Sequence, residues 1–159
     1  MPVRIEPATV DDVPVILEMI RGLAEYEKLA DTVIATEETL RRTLFGPRPS
    51  AEVLLALDAA EPVGFALFFP NYSTFLAKPG LYLEDVFVKP HARGRGIGLA
   101  LLKRLAAIAK DRDYGRVEWS VLDWNKAAIG FYEKLGAVLM DEWRICRMTS
   151  DAIQKLAAE

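Results

Sequence analysis

Residues 86–102 read VFVKPHARGRGIGLALL. A β-branched and aromatic run ends at Lys89-Pro90, glycines follow at 94, 96 and 98, and a helical pattern begins. Glycine loses the most backbone freedom on folding, so three in five positions imply a backbone that other residues could not adopt or a ligand that needs close approach. The place is informative as well: a loop between a strand and a helix sits beside free N–H groups and the positive end of a helix dipole, which together attract anions. Two common phosphate loops are excluded by spacing. A dinucleotide fingerprint counted from Gly94 would need glycine or alanine where Leu99 stands, and no Gly-Lys-Ser/Thr follows to make a P-loop. What remains is Arg93-x-x-Gly96-x-Gly98 directly after a strand.

Working outward, LYLEDVFV (81–88) reads as the strand that feeds this loop, and Leu101, Leu102, Leu105, Ile108 and Ala109 form an apolar stripe on the helix that leaves it. Upstream, VRIEPA (3–8) reads as a short strand. Thr9 and Asp12 form a capping-box-like start to a helix carrying Val13, Leu17, Ile20 and Ala24. Thr36 with Glu37 and Glu38 opens a second helix that runs to Gly46-Pro47. EVLLALD (52–58) and PVGFALFF (62–69) read as a hairpin, followed by a loop through Asn71, Pro79 and Gly80. Downstream, RVEWSVLD (116–123) is another strand, Asn125 caps a helix ending at Gly136, AVLMDEWRICRMT supplies a last strand or hairpin, and Ser150 caps a terminal helix. The expectation is one α/β (α+β) domain over 1–159, with a central mixed, mostly antiparallel sheet flanked by helices.

Composition narrows the chemistry. The 159 residues are 52% apolar and 27% charged, with a formal net charge of −3, a balance that argues against non-specific nucleic-acid binding and suits a cationic partner. A single cysteine, Cys146, excludes an internal disulfide and any thiol zinc cluster, so no metal is expected. His91 is the only histidine, and it reads as an exposed loop residue rather than half of a nucleophilic pair. The first residues lack the pattern of a signal peptide, which makes a cytoplasmic location the default expectation.

The loop with its strand and helix resembles the acyl-CoA pyrophosphate loop of the GNAT N-acetyltransferases. RIEPATVDD, LAEYEKLAD, LYLEDVFV, WNKAAIGFYEKLGA and EWRI extend the resemblance over essentially the whole chain, toward the diamine (spermidine/spermine) and thialysine acetyltransferases. The resemblance implies acetyl-CoA as co-substrate, a homodimer, and a small amine as acceptor, either a diamine or polyamine or a thialysine- or lysine-like amino acid. Protein amines, and a non-catalytic acyl-CoA-binding domain, are the alternatives. It further implies that Arg93, Gly94, Arg95, Gly96, Ile97, Gly98 and Leu99 hold the pyrophosphate, and that the backbone of Val86, Phe87 and Val88 receives the pantetheine arm. Asn125, Ala127 and Ala128 would complete the cofactor cleft, with Tyr132 as general acid. Tyr26, Glu27, Glu84, Asp85, Glu118, Trp119, Ser120 and Asp141 would line the amine site, with Glu84 taking the proton of the amine.

The residues carry part of this reading on their own. Glu84-Asp85 interrupts an apolar strand, and neighbouring strand residues point to opposite faces. One of the two should therefore meet a covered side, where a carboxylate needs a cation or a proton; a salt bridge to an arginine is the plainer alternative. Glu27 extends the spacing 13, 17, 20, 24, so it either lines a pocket or ends the helix in solvent. Acetyl transfer to an amine also needs a proton for the departing thiolate, and a phenol of pKa about 10 matches a thiol well enough to give one. Judged from the residue alone, Tyr132 reads as a core or surface aromatic, and only the loop and Asn125 point to chemistry.

Overall fold

The computed structural model describes residues 2–159, which divide into two compact units, 2–120 and 121–159. The first holds a five-stranded mixed sheet in sequential order: β1 (Arg4–Pro7), β2 (Glu52–Asp58), β3 (Glu61–Ser73), β4 (Lys78–Val88) and β5 (Val117–Trp119). The first four strands are mutually antiparallel, and β5 joins β4 in parallel. Helices α1 (Val13–Tyr26) and α2 (Glu37–Phe45) pack one face of this sheet, and α3 (Ile97–Asp111) packs the other. The second unit holds α4 (Lys126–Lys134) and α5 (Ser150–Ala157).

Each face has its own core. Val13, Ile16, Leu17 and Met19 of α1 and Leu40 and Leu44 of α2 meet Val53, Leu55, Phe65 and Phe87. Across the sheet, Ile97, Leu101, Leu105 and Ala109 of α3 meet Leu54, Ala66, Phe68, Leu81 and Leu83. Two capping devices fix where α1 and α2 begin. Asp12 accepts from the Thr9 N–H at 2.7 Å at the head of the turn leading into α1, and Thr36 Oγ1 accepts from the Thr39 N–H at 3.1 Å ahead of α2. On the α3 side, Arg112 reaches back to β2 and donates to both Glu52 carboxylate oxygens at 2.8 and 2.9 Å, which holds Glu52 below the usual carboxylate range.

Several expectations need correction. The loop expected through Asn71, Pro79 and Gly80 is ladder: Asn71 pairs with Gly80, Tyr72 with Pro79, and Ser73 with Lys78. Proline and glycine read as strand breakers, yet here Gly80 is required by contact, since an added Cβ would stand 2.6 Å from Asn71 Oδ1. Strand β5 is assigned only Val117–Trp119 of the expected eight residues, and 137–149 contains a turn closed by the Trp143 N–H on Met140 O at 3.1 Å but no assigned strand. The cap of α5 is Thr149, one residue before the Ser150 expected for it. Gly136, at φ +95°, follows α4 as expected.

One contact decides how closely α1 approaches the sheet. A Cβ on Gly22 would lie 2.8 Å from both Cε2 and Cζ of Phe87, a core ring that is 7% exposed. An exposed helical Gly→Ala change normally gains stability, roughly 1 kcal/mol. Gly22→Ala should instead lose about 1–3 kcal/mol through overpacking. Urea denaturation of the variant reads the sign directly, and a gain would mean that Phe87 does not press on α1 as described.

Candidate active site

Strand β4 carries one extra residue. Leu67 of β3 pairs with Asp85 and Phe68 pairs with Leu83, so Glu84 has no partner and forms a β-bulge. Because strand side chains alternate faces, this single insertion reverses the phase of everything after it. Leu81 and Leu83 sit in the α3-side core, whereas Asp85 shares a face with Leu67 and Phe87 on the side covered by α1. Val86 and Val88 then pack toward α3. Glu84 itself is exposed. β4 is also matched to β5 only through Leu81–Leu83, so among the described residues it runs five residues, Glu84 to Val88, beyond its last ladder pair with β5. That stretch contains the three residues expected to receive the pantetheine arm.

The glycine loop follows. A single turn at Pro90–Ala92 ends at Arg93, and Gly94 and Gly96 both adopt φ +77°. Neither would meet any atom within 4 Å if given a Cβ, so the two glycines are there for their backbone angle, and the space beside them is open. Gly98 lies inside α3, where its added Cβ would make only an ordinary 3.9 Å contact with Val88. The first bond of α3 runs from the Ala100 N–H to Gly96 O at 2.9 Å, leaving the N–H groups of Ile97, Gly98 and Leu99 without helical acceptors. A 15-residue helix behind open, glycine-shaped backbone donors has the geometry to hold an anion such as a pyrophosphate.

The loop arginines stand differently from expectation. Arg95 Nη1 donates to Asp58 Oδ2 at 2.7 Å, tying the loop to the end of β2 and holding the Asp58 carboxyl below its usual range. Arg93 Nε donates to the Val88 carbonyl at 2.9 Å, and its guanidinium lies 4.9 Å from the centroid of Tyr26 and 5.5 Å from that of Phe87. His91 lies 3.1 Å from Glu61 on the surface.

On the α1 face, the Asp85 carboxyl feels two other acids. Burial raises the Asp85 carboxyl, with the charges of Glu84 and Glu27 adding to the effect, up to about 6. Glu27, immediately after α1, is raised by burial. No salt bridge to any of the three is found among the described residues, which removes the arginine partner considered for Glu84. Tyr26 stands beside them, 40% exposed. By contrast, Glu118 is engaged locally, accepting from Asn71 Nδ2 at 3.1 Å and pairing with Arg116 at 3.0 Å. Ser120 and Tyr82 share a hydrogen bond of 3.0 Å, and Trp119 packs against the α3-side core.

The remaining expected residues belong to the second unit. Asn125 Oδ1 accepts from the Ala128 N–H at 3.2 Å and so caps α4, which contains Ala127, Ala128 and Tyr132. Asp141 lies in the turn between Met140 and Trp143. The sequence reading missed the Tyr26–Arg93–Phe87 stack and the Asp58 anchor. A cation three residues before a loop glycine signals a phosphate ligand, and nothing local announces that its side chain turns back onto a helix 67 positions earlier.

With this geometry in hand, the comparison with known proteins is decisive. Residues 20–137 match the acetyltransferase (GNAT) family. The chain belongs to that family. It is 38% identical to an L-ornithine N5-acetyltransferase of Arabidopsis thaliana, over 96% of this chain and 87% of that protein. It is 39% identical to a thialysine N-epsilon-acetyltransferase of Bos taurus, over 99% and 98%. Its fold matches the solved structure of an integron cassette protein from the mobile metagenome of V. cholerae, with a TM-score of 0.81 and 29% identity over 100% and 99% of the two chains. The enzyme is thus an acetyltransferase acting on amines, and acetyl-CoA is the co-substrate of its family.

The position of Asp85 has a consequence for stability. A carboxyl raised in the folded state favours folding while protonated, and that advantage is lost as pH rises from about 4 to about 6. Asparagine keeps the shape and cannot ionise. Asp85→Asn should therefore stabilise the enzyme by about 1–2 kcal/mol at pH 7, allowing for partial solvent screening, and by nothing at pH 4 or below. Urea midpoints at the two pH values check this, and equal effects at both would contradict the assignment.

Proposed function

We propose that this enzyme moves the acetyl group of acetyl-CoA to the terminal primary amine of a small cationic acceptor. The observation that carries the reading is the juxtaposition within β4 and its following loop: a carboxylate cluster at the bulge, then a free strand stretch, then a glycine-shaped anion nest. The acceptor class comprises diamines and polyamines together with ω-amino acids of the ornithine and thialysine type. The names of the two relatives favour the amino acids, since both act on a side-chain amine.

Each residue then has a task. Backbone N–H groups from Gly94 to Leu99 hold the pyrophosphate, Arg95 steadies that loop through Asp58, and the backbone of Val86, Phe87 and Val88 receives the pantetheine arm. Acetyl-CoA supplies the activated thioester. Asp85 and Glu27 attract the ammonium form of the acceptor, because burial disfavours the charge of both, and the charges of Glu84 and Glu27 add to that effect on Asp85, until a cation arrives. An ammonium held by carboxylates is not a nucleophile, so its proton must leave before attack. Glu84 is open to solvent and takes that proton onward. Tyr132 supports the other end of the reaction by giving its phenolic proton to the thiolate that departs.

The test is direct. Purified enzyme is incubated with acetyl-CoA and a panel of ornithine, thialysine, lysine, putrescine and spermidine, with free thiol as readout. At least one acceptor should turn over, and no turnover with any of them would reject the proposal. Tyr132→Phe should lower kcat by about 100-fold or more, and an unchanged kcat across pH removes Tyr132 from the chemistry. For the wild type, kcat/KM should fall on acidification through about pH 6 as Asp85 gains its proton and loses its pull on the ammonium. Asp85→Asn should raise the acceptor KM roughly tenfold, equivalent to about 1.4 kcal/mol, and abolish that acidic limb.

A further inference from the structure

We propose that Arg93 is a positioning residue that sets the acceptor side of the site from the donor loop, rather than a phosphate ligand. The inference rests on the acetyl-transfer reading above but concerns a different contact. Three interactions fix the side chain. Its Nε donates to the carbonyl of Val88, the last residue of β4, at 2.9 Å. Its guanidinium carbon Cζ lies 4.9 Å from the Tyr26 centroid and 5.5 Å from the Phe87 centroid. Its own backbone N–H closes the Pro90–Ala92 turn by donating to Pro90 O at 3.3 Å. The start of the glycine loop, the end of β4 and the end of α1 therefore meet at one side chain.

The neighbours make this a linkage between two functions. Phe87 stands two residues after Asp85 on the same face of β4, and its ring fills the space that Gly22 leaves open on α1. Tyr26 is the last residue of α1 and directly precedes Glu27. The stack thus sets where α1 ends relative to Asp85, and so where Glu27 stands. No carboxylate lies within ion-pair reach of Arg93 among the described residues, so its orientation comes from the two rings and the Val88 carbonyl. Arginine suits this task because a planar guanidinium stacks on rings while one edge still donates; an ammonium does not do both.

The experiment is a double-mutant cycle of Arg93→Met and Tyr26→Leu, with Arg93→Lys as a charge-preserving control. Three quantities are read for each protein: the Kd for CoA by calorimetry, the KM for the best acceptor amine, and the unfolding constant in urea. Positioning predicts that each single variant raises the amine KM about three- to tenfold and that the double variant is no worse than either single one. It also predicts CoA Kd values within about threefold of wild type, Arg93→Lys behaving like Arg93→Met, and unfolding constants coupled by roughly two- to fivefold, the size expected of an exposed cation–π pair. A CoA Kd raised tenfold or more with the amine KM unchanged would show a phosphate ligand and overturn the proposal. So would full recovery by lysine, or stability coupling with no change in amine KM, which would leave a merely structural contact. If wild-type enzyme binds no CoA, the proposed function fails instead, while the unfolding cycle still reports whether the Arg93–Tyr26 link exists.

Discussion

The structure of this enzyme depends on one inserted residue. Glu84 sits in β4 without a partner in β3, and its insertion turns Asp85 and Phe87 away from the α3-side core and onto the face covered by α1. Without it, strict alternation from Leu81 and Leu83 would send Asp85 toward Leu101 and Leu105, an apolar layer where an unpaired carboxylate costs several kcal/mol. The same residue marks where β4 leaves β5, since their pairing stops at Leu83. A local change of register thus produces both halves of the proposed site, the acidic face for the acceptor and the free strand stretch that leads to the donor loop.

That arrangement is costly to the folded state. Asp85 is held with its carboxyl near 6 by burial and by two other acids, with no ion pair to it among the described residues. Elsewhere the protein satisfies its charges in ordinary ways: Glu52 takes both arms of Arg112, Asp58 takes Arg95, and Glu118 takes Arg116 and Asn71. The contrast gives the site its meaning. Those surface carboxylates find arginines, whereas Asp85 is buried within reach of the charges of Glu84 and Glu27, and a group left at a disadvantage in the free enzyme is a group that gains when a cationic ligand enters. Local instability of this kind belongs at functional positions, where optimising the free state would weaken binding.

How much of this was legible in the sequence follows from what each feature depends on. The strand–glycine–helix order around 86–102 was readable because it is local, and it led correctly to the family. Adjacent Glu84 and Asp85 announced that one carboxylate would meet a covered face, since alternation alone requires it. Which one it would be was not readable, because the bulge is a property of pairing with Leu67 and Phe68 and leaves no mark in residues 84 and 85. The hairpin extension through Pro79 and Gly80 was hidden for a similar reason: glycine is punctuation in a sequence, but here it makes room for a neighbouring Asn71 side chain. Arg93 misled in the opposite direction. Its position in the motif pointed to phosphate, while its side chain answers to Tyr26 and Phe87, which only the fold brings near.

A division of labour between backbone and side chains follows from these placements. On the donor side, the open groups are main-chain N–H donors at Gly94 to Leu99, and the two arginines nearest them are committed to Asp58 and to Val88, Tyr26 and Phe87. On the acceptor side the open groups are side-chain carboxylates. Backbone donors recognise a phosphate wherever the chain is bent correctly, so the donor loop tolerates change in its side chains provided Gly94 and Gly96 keep their positive φ. Carboxylate recognition depends on the spacing of charges instead, so under the proposed function the length and charge pattern of the acceptor are read by the distance between Glu27 and Asp85. That distance is set by the end of α1, which is pinned through Gly22, Phe87 and Arg93. Under the proposed function, acceptor choice is governed by helix placement as much as by the identity of the acids, and residues that touch no substrate alter it.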